Sequence, residues 1–397
     1  MGPGDRKLAA EVTSAAGVDR APESQARAPS PRRSGRIPTI PALTSLRFLA
    51  AAHVVLFHAS PDLRPLVPGP VDRFLSAGYS AVPLFYVLSG FVLMLNYGQS
   101  FVTGRVGARS FFAARFARIY PLYLLTALWE ALNFHLFYGL SWSALMLPTA
   151  REMLMVQAWH SPWIQFTNAP AWSVSNEAFF YLLFPLLARR IGVLGKRAAL
   201  YALGGTWLVG MTMITVASHA GAAWEDIAYL PLAHLPEFAA GAFLGRIFEL
   251  RHEQADESTS PLGHWLVLTG LGGLLLIFEW STLVPQALFA TSLLVPLQGL
   301  LIWGLATRRH APDGSRGWDN PAFVFFGEAS YALYLLQYPV KNFLLFFPQH
   351  SLNGSPQRYP LYWAILFLSA LIAHQYFEGP ARSFLKKLTF RARVTDT

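Results

Sequence analysis

The amino-acid sequence predicts an all-α, polytopic transmembrane helical bundle of about ten spans, with both termini on the cytoplasmic side. Three observations predict this fold class. The 397 residues are 53% hydrophobic and only 13% charged, whereas a soluble globular chain is about 25% charged. The apolar residues gather into segments that approach the length of a membrane-spanning helix. The basic residues gather in alternate connections between those segments.

The apolar segments occupy most of the chain between residues 40 and 378. A helix of about 20 apolar residues crosses the hydrocarbon core of a bilayer. The predicted spans lie at 40–60, 78–98, 118–140, 173–189, 197–217, 228–247, 263–280, 285–306, 322–345 and 359–378. The longest remaining linker, 141–172, is aromatic and partly apolar, so we expect it to lie on the membrane or to re-enter it.

The two ends of the chain differ from this transmembrane domain, which we place at 39–380. Residues 1–38 are rich in Ala, Pro, Ser and Arg and show no apolar periodicity. This composition predicts a disordered cytoplasmic tail, without an apolar core of the signal-peptide kind. Residues 381–397 are predicted to form a basic cytoplasmic tail.

The positions of the basic residues predict the orientation of the spans. Every even-numbered connection is basic, and the odd-numbered ones are poor in Lys and Arg. Because cytoplasmic loops carry the excess of Lys and Arg, the even-numbered connections and both termini are assigned to the cytoplasm. The basic clusters are Arg105, Arg109, Arg115 and Arg118; Arg189, Arg190, Lys196 and Arg197; Arg246 and Arg251; Arg308, Arg309 and Arg316; and Arg382, Lys386, Lys387, Arg391 and Arg393.

The composition also excludes classes of function. Cys is absent, which excludes disulfides, thiolate metal sites and a cysteine nucleophile. The net charge of +9 suits nucleic acid or an anionic membrane surface. Because the basic residues lie in short loops between apolar segments, we predict the lipid bilayer as a partner and no nucleic acid. The histidines lack a metal-ligand spacing such as H-E-x-x-H, so no metal is predicted.

The first span, which contains SLRFLAAAHVVLFHA (45–59), carries an arginine and a histidine on one face. Arg47 and His58 are eleven residues apart, which is about three turns plus 20° of a helix and about 16 Å along its axis. Taken alone, Arg47 is also explained by snorkelling to the membrane surface, and His58 by a hydrogen bond at a helix end. The shared face favours a functional pair. His53 points elsewhere and is predicted to be structural.

Two further stretches place small or basic residues in the spans. Ser89 and Gly90 lie inside the second span, where small residues either let helices pack closely or admit a ligand chain against the backbone. Arg115 and Arg118 share a face at the start of the third span. They form either an ordinary topogenic cluster or a phosphate-binding patch, since Arg suits bidentate phosphate contacts.

Acidic and polar groups recur in the later spans. Glu177 follows Trp172 and Ser173 at the start of the fourth span. It either complements the helix dipole or, at a depth similar to that of His58, forms a carboxylate–imidazole pair with it. Glu237 lies inside the sixth span, beside a small-residue face. The ninth span carries a polar stripe, which is either interhelical glue or part of a site: Ser330, Tyr331, Tyr334 and Gln337.

Six motifs in order resemble the acyltransferase type 3 family of polytopic membrane enzymes, the O-acetylases of bacterial lipopolysaccharide and peptidoglycan. They are R-x10-H in the first span, VPLFYVLSGFVL, RFARIYPLYLL, AWSVSNEAFFYLLFP, LPEFAAGAFLGR and SYALYLLQYP. The resemblance covers about 40–380, nearly the whole membrane part. Two residues depart from the pattern: Gln337 lies in a stretch where the family often has His, and Tyr86 stands where Phe is common.

The resemblance implies a multi-pass enzyme of the bacterial inner membrane. Such proteins take an acyl group, by default acetyl, from cytoplasmic acyl-CoA and place it on a hydroxyl group of a carbohydrate acceptor. Acyl-CoA is therefore the implied co-substrate. The family motifs fall on Arg47 and His58; on Ser89, Gly90 and Phe91; on Arg115 and Arg118; and on Trp172, Ser173 and Glu177.

The residues and the resemblance together suggest a mechanism. His58 is the candidate general base, because a sugar hydroxyl is a poor nucleophile and histidine titrates near neutral pH. Glu177 would orient the imidazole, as the carboxylate does in a catalytic triad. Direct transfer is simplest, and an acyl-serine or acyl-histidine stays open. The other candidates are Arg47, Arg115 and Arg118 for the phosphates of acyl-CoA; Ser89 and Gly90 for its pantetheine arm; and Trp172, Ser173, Tyr331 and Gln337 for substrate binding.

Two other functions fit the same residues. A transporter or flippase also uses intramembrane Arg, His and Glu, although the sequence shows no inverted repeat and no pair of Gly- or Pro-broken spans in corresponding positions. An acyltransferase of a secreted metabolite, such as a glycosylated antibiotic, shares the chemistry and differs only in its acceptor. Consumption of acyl-CoA distinguishes transfer from transport.

Overall fold

The computed structural model describes residues 40–59, 61, 64–254, 262–308, 317–345 and 359–385, and every regular element in this described part is helical. The predicted N-terminal tail and most of the predicted C-terminal tail lie outside the described residues. The α-helices are α1 (Pro41–Ala59), α2 (Gly69–Ser76), α3 (Ala81–Val102), α4 (Ala108–Tyr138), α5 (Trp142–Met153), α6 (Trp172–Ile191), α7 (Lys196–His219), α8 (Trp224–Tyr229), α9 (Pro231–Gln254), α10 (Leu262–Glu279), α11 (Gln286–Phe289), α12 (Val295–Thr307), α13 (Pro321–Glu328), α14 (Ser330–Leu345) and α15 (Tyr359–Ile372).

Five helical segments of the described part are long and apolar enough to cross a membrane. They are Pro41–Ala59, Gly69–Val102, Lys196–His219, Leu262–Glu279 and Tyr359–Leu385. They coincide with the predicted first, second, fifth, seventh and tenth spans, so the all-helical membrane character of the chain is confirmed. The count of ten spans and the cytoplasmic position of both termini stay predictions.

Two predicted spans are interrupted in the structure. The segment 285–306 is divided before α12, where the backbone of Thr291 leaves the helical region with φ −129° and ψ −126°. The segment 322–345 is divided at Ala329 into α13 and α14. There the hydroxyl of Ser330 donates to the carbonyl oxygen of Gly327 at 2.7 Å, which gives the backbone an alternative to the helical hydrogen-bond ladder. Both breaks occur inside apolar sequence, so hydropathy alone does not detect them.

Helices α3 and α9 pack against each other along an extensive seam, and glycine makes the contact close. A Cβ atom on Gly90 of α3 would overlap the carbonyl oxygen of Phe238, and one on Gly241 of α9 would overlap the carbonyl oxygen of Val87. The two backbones therefore touch at these glycines, as membrane helices do at small residues. This seam fixes the position of α3, which presents Ser89 and Tyr86 to the site described below.

Parts of the linker between α5 and α6 are buried in the protein. Gln157 and Asn168 are fully buried, and the main-chain amide of Asn168 donates to the Glu152 carboxyl at 3.3 Å. Burial raises the pKa of the Glu152 carboxyl to about 8, against the opposing effect of the Asn168 amide. Pro170 and Ala171, which lead into α6, are also buried, so α6 begins inside the protein. Leu154, Trp159 and Phe166 of the same linker are exposed, and its position on the membrane stays a prediction.

A proline in α14 ties this linker to the bundle. Pro339 has no N–H, so it leaves the carbonyl oxygen of Leu335 without its helical partner. The side-chain amide of Asn168 donates to that oxygen at 2.9 Å. The start of α6 is thereby held against α14.

Candidate active site

A small cavity between α1, α3, α4, α6 and α14 collects the charged candidates, and we call it the cationic cavity. Its volume is about 120 Å³. Helix α1 contributes Arg47, and α4 contributes Arg115 and Arg118. The other polar residues that line it are Tyr86, Ser89, Ser173, Glu177, Tyr181, Ser330, Tyr331 and Tyr334.

The arginines of the cationic cavity differ in their surroundings. The guanidinium of Arg115 lies 5.3 Å from the centre of the Tyr97 ring and donates to the Tyr97 hydroxyl at 3.1 Å. Its buried Nε has no hydrogen-bond partner within the described part of the chain. Arg118 is exposed, so the cluster runs from a half-buried donor to a solvent-facing one. Such a cluster suits a ligand with several phosphate oxygens.

One carboxylate stands among these cations. The hydroxyl of Ser89 donates to Glu177 Oε1 at 3.1 Å, and the hydroxyl of Tyr181 donates to the same oxygen. Three arginines against one glutamate leave the lining with a formal charge of +3 − 1 = +2. The cavity therefore attracts anions, and Glu177 fixes the side chains of Ser89 and Tyr181 within it.

A second and larger cavity contains His58, and we call it the aromatic cavity. Its volume is about 440 Å³. Among the ionisable side chains that line it are His58 and Arg64, and Arg64 pairs with Asp72 at 2.7 Å. Its aromatic walls are Phe57, Tyr79, Trp172, Trp224, Tyr229 and Tyr334.

The hydrogen bonds of Gln337 define the tautomer of His58. The Gln337 side-chain amide donates from Nε2 to the carbonyl oxygen of Tyr334 at 2.7 Å, which leaves Oε1 to face His58. Since Oε1 only accepts, His58 Nδ1 carries the proton and donates to it at 2.9 Å. The lone pair of the neutral ring is then on Nε2, the nitrogen that a general base uses.

The two cavities are neighbours that share a wall. Val82 and Tyr334 line both of them. The Tyr334 hydroxyl lies 2.7 Å from Ser173 Oγ and 3.1 Å from the carbonyl oxygen of Pro170. The boundary falls at the first turn of α6, where Trp172 lines the aromatic cavity and Ser173 lines the cationic one.

The structure brings together most of the candidates that the sequence suggests. Arg47 and His58 both face this paired site from α1, as their spacing predicts. His53 lies apart, where its Nε2 is 2.8 Å from the carbonyl oxygen of Phe74. The candidates that share the cationic cavity are Arg47, Ser89, Arg115, Arg118, Ser173, Glu177 and Tyr331.

The expected pair of His58 with Glu177 is wrong in the structure. His58 bonds to Gln337, and Glu177 bonds to Ser89 and Tyr181 in the other cavity. The expected depth of Glu177 rests on the predicted topology, in which the fourth span starts on the same side as the outer end of the first. In the structure Glu177 lies in the second turn of α6 and lines the cationic cavity together with the arginines.

Two other candidates have different surroundings from those expected. Gly90 does not line either cavity, because its Cα packs against the backbone of α9. Gln337 is fully buried and lies behind His58, so its contact is with the imidazole and not with a substrate. Tyr331 does line the cationic cavity, and its hydroxyl donates to the carbonyl oxygen of Ile119 at 2.6 Å.

A buried ion pair on α9 lies beside the boundary between the two cavities. His234 Nδ1 lies 2.8 Å from Glu237 Oε2, and its Nε2 lies 2.7 Å from the carbonyl oxygen of Ala228. With an acceptor at each nitrogen, the ring is a donor on both sides. It packs against Trp172 and Tyr86, one from each cavity. Glu237 stands out in the sequence as a carboxyl group inside an apolar segment, but His234 was not predicted, although the i,i+3 spacing of the two residues in an apolar helix is a detectable signal.

Comparisons with known proteins identify the family of the chain. The family model described as an acyltransferase domain matches residues 40–375. The chain is 26% identical over 361 residues to the acyltransferase MdmB of Streptomyces mycarofaciens, covering 85% of this chain and 86% of that protein. It is 40% identical over 83 residues to protein 2 in the picA locus of Rhizobium radiobacter, covering 21% of this chain and 39% of that protein. No solved structure matches the chain.

Proposed function

Since the chain belongs to the acyltransferase domain family, we propose that it transfers an acyl group from acyl-CoA to a hydroxyl group of a surface or exported glycan. The observation that carries this proposal is the pair of adjoining cavities. One is cationic, and the other contains a histidine whose Nδ1–H is already bonded to Gln337. A two-substrate transfer needs such a division, with an anionic donor on one side and a base beside the acceptor on the other.

The cationic cavity suits the acyl end of acyl-CoA, with the phosphates at its arginines. Its volume of about 120 Å³ is small against the ~300–1,000 Å³ of ordinary ligand sites. Only the narrow thioester end therefore enters, while exposed Arg118 meets the phosphates outside. The small volume supports acetyl as the transferred group.

The aromatic cavity suits a sugar. Its volume of about 440 Å³ lies within the ~300–1,000 Å³ typical of ligand sites. Trp172, Trp224 and Tyr229 combine flat apolar faces with polar tips, which match the C–H faces and the hydroxyl groups of a sugar ring. A glycosylated metabolite would present the same sugar chemistry.

His58 is the proposed general base. Its Nε2 accepts the proton of the acceptor hydroxyl as the oxygen attacks the thioester carbonyl. The C–S bond breaks, and the thiolate that leaves takes this proton from His58 Nε2, which gives the free thiol of CoA and returns the imidazole to its neutral form. Gln337 keeps Nδ1 protonated throughout, so Nε2 remains the reacting nitrogen. The thioester and the hydroxyl meet at the wall formed by Val82 and Tyr334.

We propose the bacterial plasma membrane as the location, with the cationic cavity toward the cytoplasm. The basic connections predict this orientation, and acyl-CoA is a cytoplasmic metabolite. The acceptor would then enter from the opposite face.

A deletion of the gene in its native host tests the proposal. We expect base-labile acyl groups on the surface glycans to be lost, to return with the wild-type gene and to stay absent with His58→Gln. His53→Gln is the matched control, because this histidine lies on the same helix outside both cavities. The acyl groups are measured by mass spectrometry, and protein levels by immunoblot.

Acyl-CoA consumption by purified membranes separates the remaining functions. Consumption without any change in surface glycans would assign the acceptor to a secreted metabolite. No consumption by the wild-type protein with any glycan or metabolite supplied would contradict acyl transfer and favour transport.

A further inference from the structure

A third cavity lies away from the site, between α3, α7, α9, α10 and α12, and we call it the lateral groove. Its volume is about 740 Å³. Most of its lining is apolar, with Leu200 and Trp207 on α7, Leu244 on α9 and Trp303 on α12. Two cations complete the lining, Lys196 and Arg251.

The two cations stand at the same end of the lateral groove. Lys196 is the first residue of α7, and Arg251 lies near the end of α9. These helices run antiparallel, since Arg246 Nε donates to the carbonyl oxygen of Leu194 at 3.1 Å. The guanidinium of Arg251 lies 5.8 Å from the centre of the Trp303 ring. One end is thus basic and aromatic, as residues at a membrane–water interface are.

The apolar length of the groove matches one leaflet of a bilayer. Along α7 it extends from Lys196 to Trp207, which is eleven residues or about 16 Å at ~1.5 Å per residue. Half of the ~30 Å hydrocarbon core is about 15 Å. The groove also opens sideways, because Leu200 is 47% exposed on a helix that is long and apolar enough to span the membrane.

Two glycines widen the groove instead of bringing helices together. A Cβ on Gly204 would have no atom within 4 Å, and one on Gly299 would meet only Leu244 Cδ2 at 3.8 Å. By contrast, a Cβ on Gly270, in the seam between α10 and α12, would lie 2.9 Å from the backbone of Leu301. The empty space beside Gly204 and Gly299 is therefore free for a ligand.

We propose that the lateral groove binds one anionic phospholipid, with an acyl chain along the apolar walls and the phosphate between Lys196 and Arg251. Charge complementarity at the basic end and the depth of one leaflet select this occupant. Within the described part of the chain neither Lys196 nor Arg251 has an ion-pair partner, and a neutral lipid would not supply one. On the orientation that the basic connections predict, the lipid comes from the cytoplasmic leaflet.

The first test blocks the lateral groove with a bulky side chain. Wild type, Gly204→Trp and Gly205→Trp are purified in detergent, and retained phospholipid per protein is measured by native mass spectrometry. Gly205 is the matched control, because a Cβ there also meets no atom within 4 Å and it does not line the groove. We expect one retained phospholipid in wild type and in Gly205→Trp, and none in Gly204→Trp.

The second test addresses the headgroup. Phosphatidylglycerol or phosphatidylcholine is titrated into delipidated protein, and binding is followed by the rise in Tm. The double substitution Lys196→Gln/Arg251→Gln neutralises both cations. It should reduce the preference for phosphatidylglycerol by about 30-fold, because this is the usual contribution of two basic residues at an anionic surface. Arg189→Gln/Arg197→Gln removes the same charge outside the groove and should leave the preference unchanged.

Two outcomes would overturn the proposal. Equal lipid retention by Gly204→Trp and Gly205→Trp would show that the groove is not the site. Equal binding of the two lipids to wild type would show that the cations do not recognise the phosphate. Neither readout depends on acyl transfer, so the lipid site and the proposed enzyme activity fail or succeed separately.

Discussion

The cationic cavity and the aromatic cavity share a wall but differ in nearly every other property. The first is small and carries three arginines and one glutamate. The second is more than three times larger in volume and carries His58 among aromatic side chains. Val82 and Tyr334 alone among the lining residues belong to both.

This difference suggests a division between binding and chemistry. Coulombic attraction acts at a distance and tolerates a flexible ligand, so a cluster of arginines suits the donor. Proton transfer requires contact, so the base lies in the cavity proposed for the acceptor. A substitution in one cavity should then change the kinetics of one substrate and spare the other.

The largest effect is expected at His58. His58→Gln keeps a polar side chain but removes the base, so kcat should fall by about 10²- to 10⁴-fold. The KM for acyl-CoA should stay within about twofold, because the arginines are untouched. Steady-state kinetics on purified protein measures both. A raised KM for acyl-CoA with an unchanged kcat would contradict this assignment of donor binding to the cationic cavity and of proton transfer to the aromatic cavity.

The next effect is expected at the arginines. Arg115→Gln removes a charged hydrogen-bond donor from the cationic cavity. Loss of one charge-assisted hydrogen bond to the ligand should raise the KM for acyl-CoA by about 10- to 100-fold. The rise should shrink at high salt, since screening weakens the contribution that Arg115 makes in the wild type. Arg189→Gln, an exposed arginine outside the cavity, is the control. An equal loss in the control would assign the effect to net charge alone.

A smaller effect is expected at Gln337, which accepts the hydrogen bond from His58 Nδ1. Gln337→Leu removes the acceptor for His58 Nδ1–H and allows the wrong tautomer, so kcat should fall by about tenfold. Gln298→Leu is the matched control, because Gln298 is also buried in the bundle but lines neither cavity. Nitrogen NMR of labelled histidine would report the tautomer directly. Unchanged kcat with an unchanged tautomer would contradict the role of Gln337.

The smallest effect is expected at the aromatic wall. Trp224→Ala should raise the KM for the acceptor by about 2- to 10-fold, the usual size of a single aromatic contact. The KM for acyl-CoA should not change. Trp265→Ala, on an exposed face of α10, is the control. A change in the donor KM instead would place the donor in the aromatic cavity.

Local spacing predicts the parts of the site that lie on a single helix. Arg47 and His58 face the paired cavities because eleven residues make nearly whole turns of α1. Arg115 and Arg118 share one cavity because they are three residues apart on α4. Apolar length likewise predicts α1, α7 and α10 closely, since these helices have long uninterrupted apolar sequences.

Partners that come from different helices could not be predicted in this way. His58 and Gln337 are 279 residues apart, and no period in the sequence relates them. Gln157 and Asn168 in the linker before α6 are buried because their side-chain amides donate to the Tyr123 hydroxyl of α4 and to the Leu335 carbonyl oxygen of α14. Nothing in the local sequence of the linker indicates these partners.

Pro339 has a consequence for how this site can vary among related sequences. The bond that it makes possible joins Asn168 to a main-chain oxygen, the carbonyl of Leu335. Replacement of the Leu335 side chain leaves that oxygen in place, whereas replacement of Pro339 returns a competing N–H. The register between α6 and α14 is therefore encoded at positions 168 and 339, and an alignment should show these two positions changing together, while the fully buried position 335 varies only among apolar side chains that fit the core.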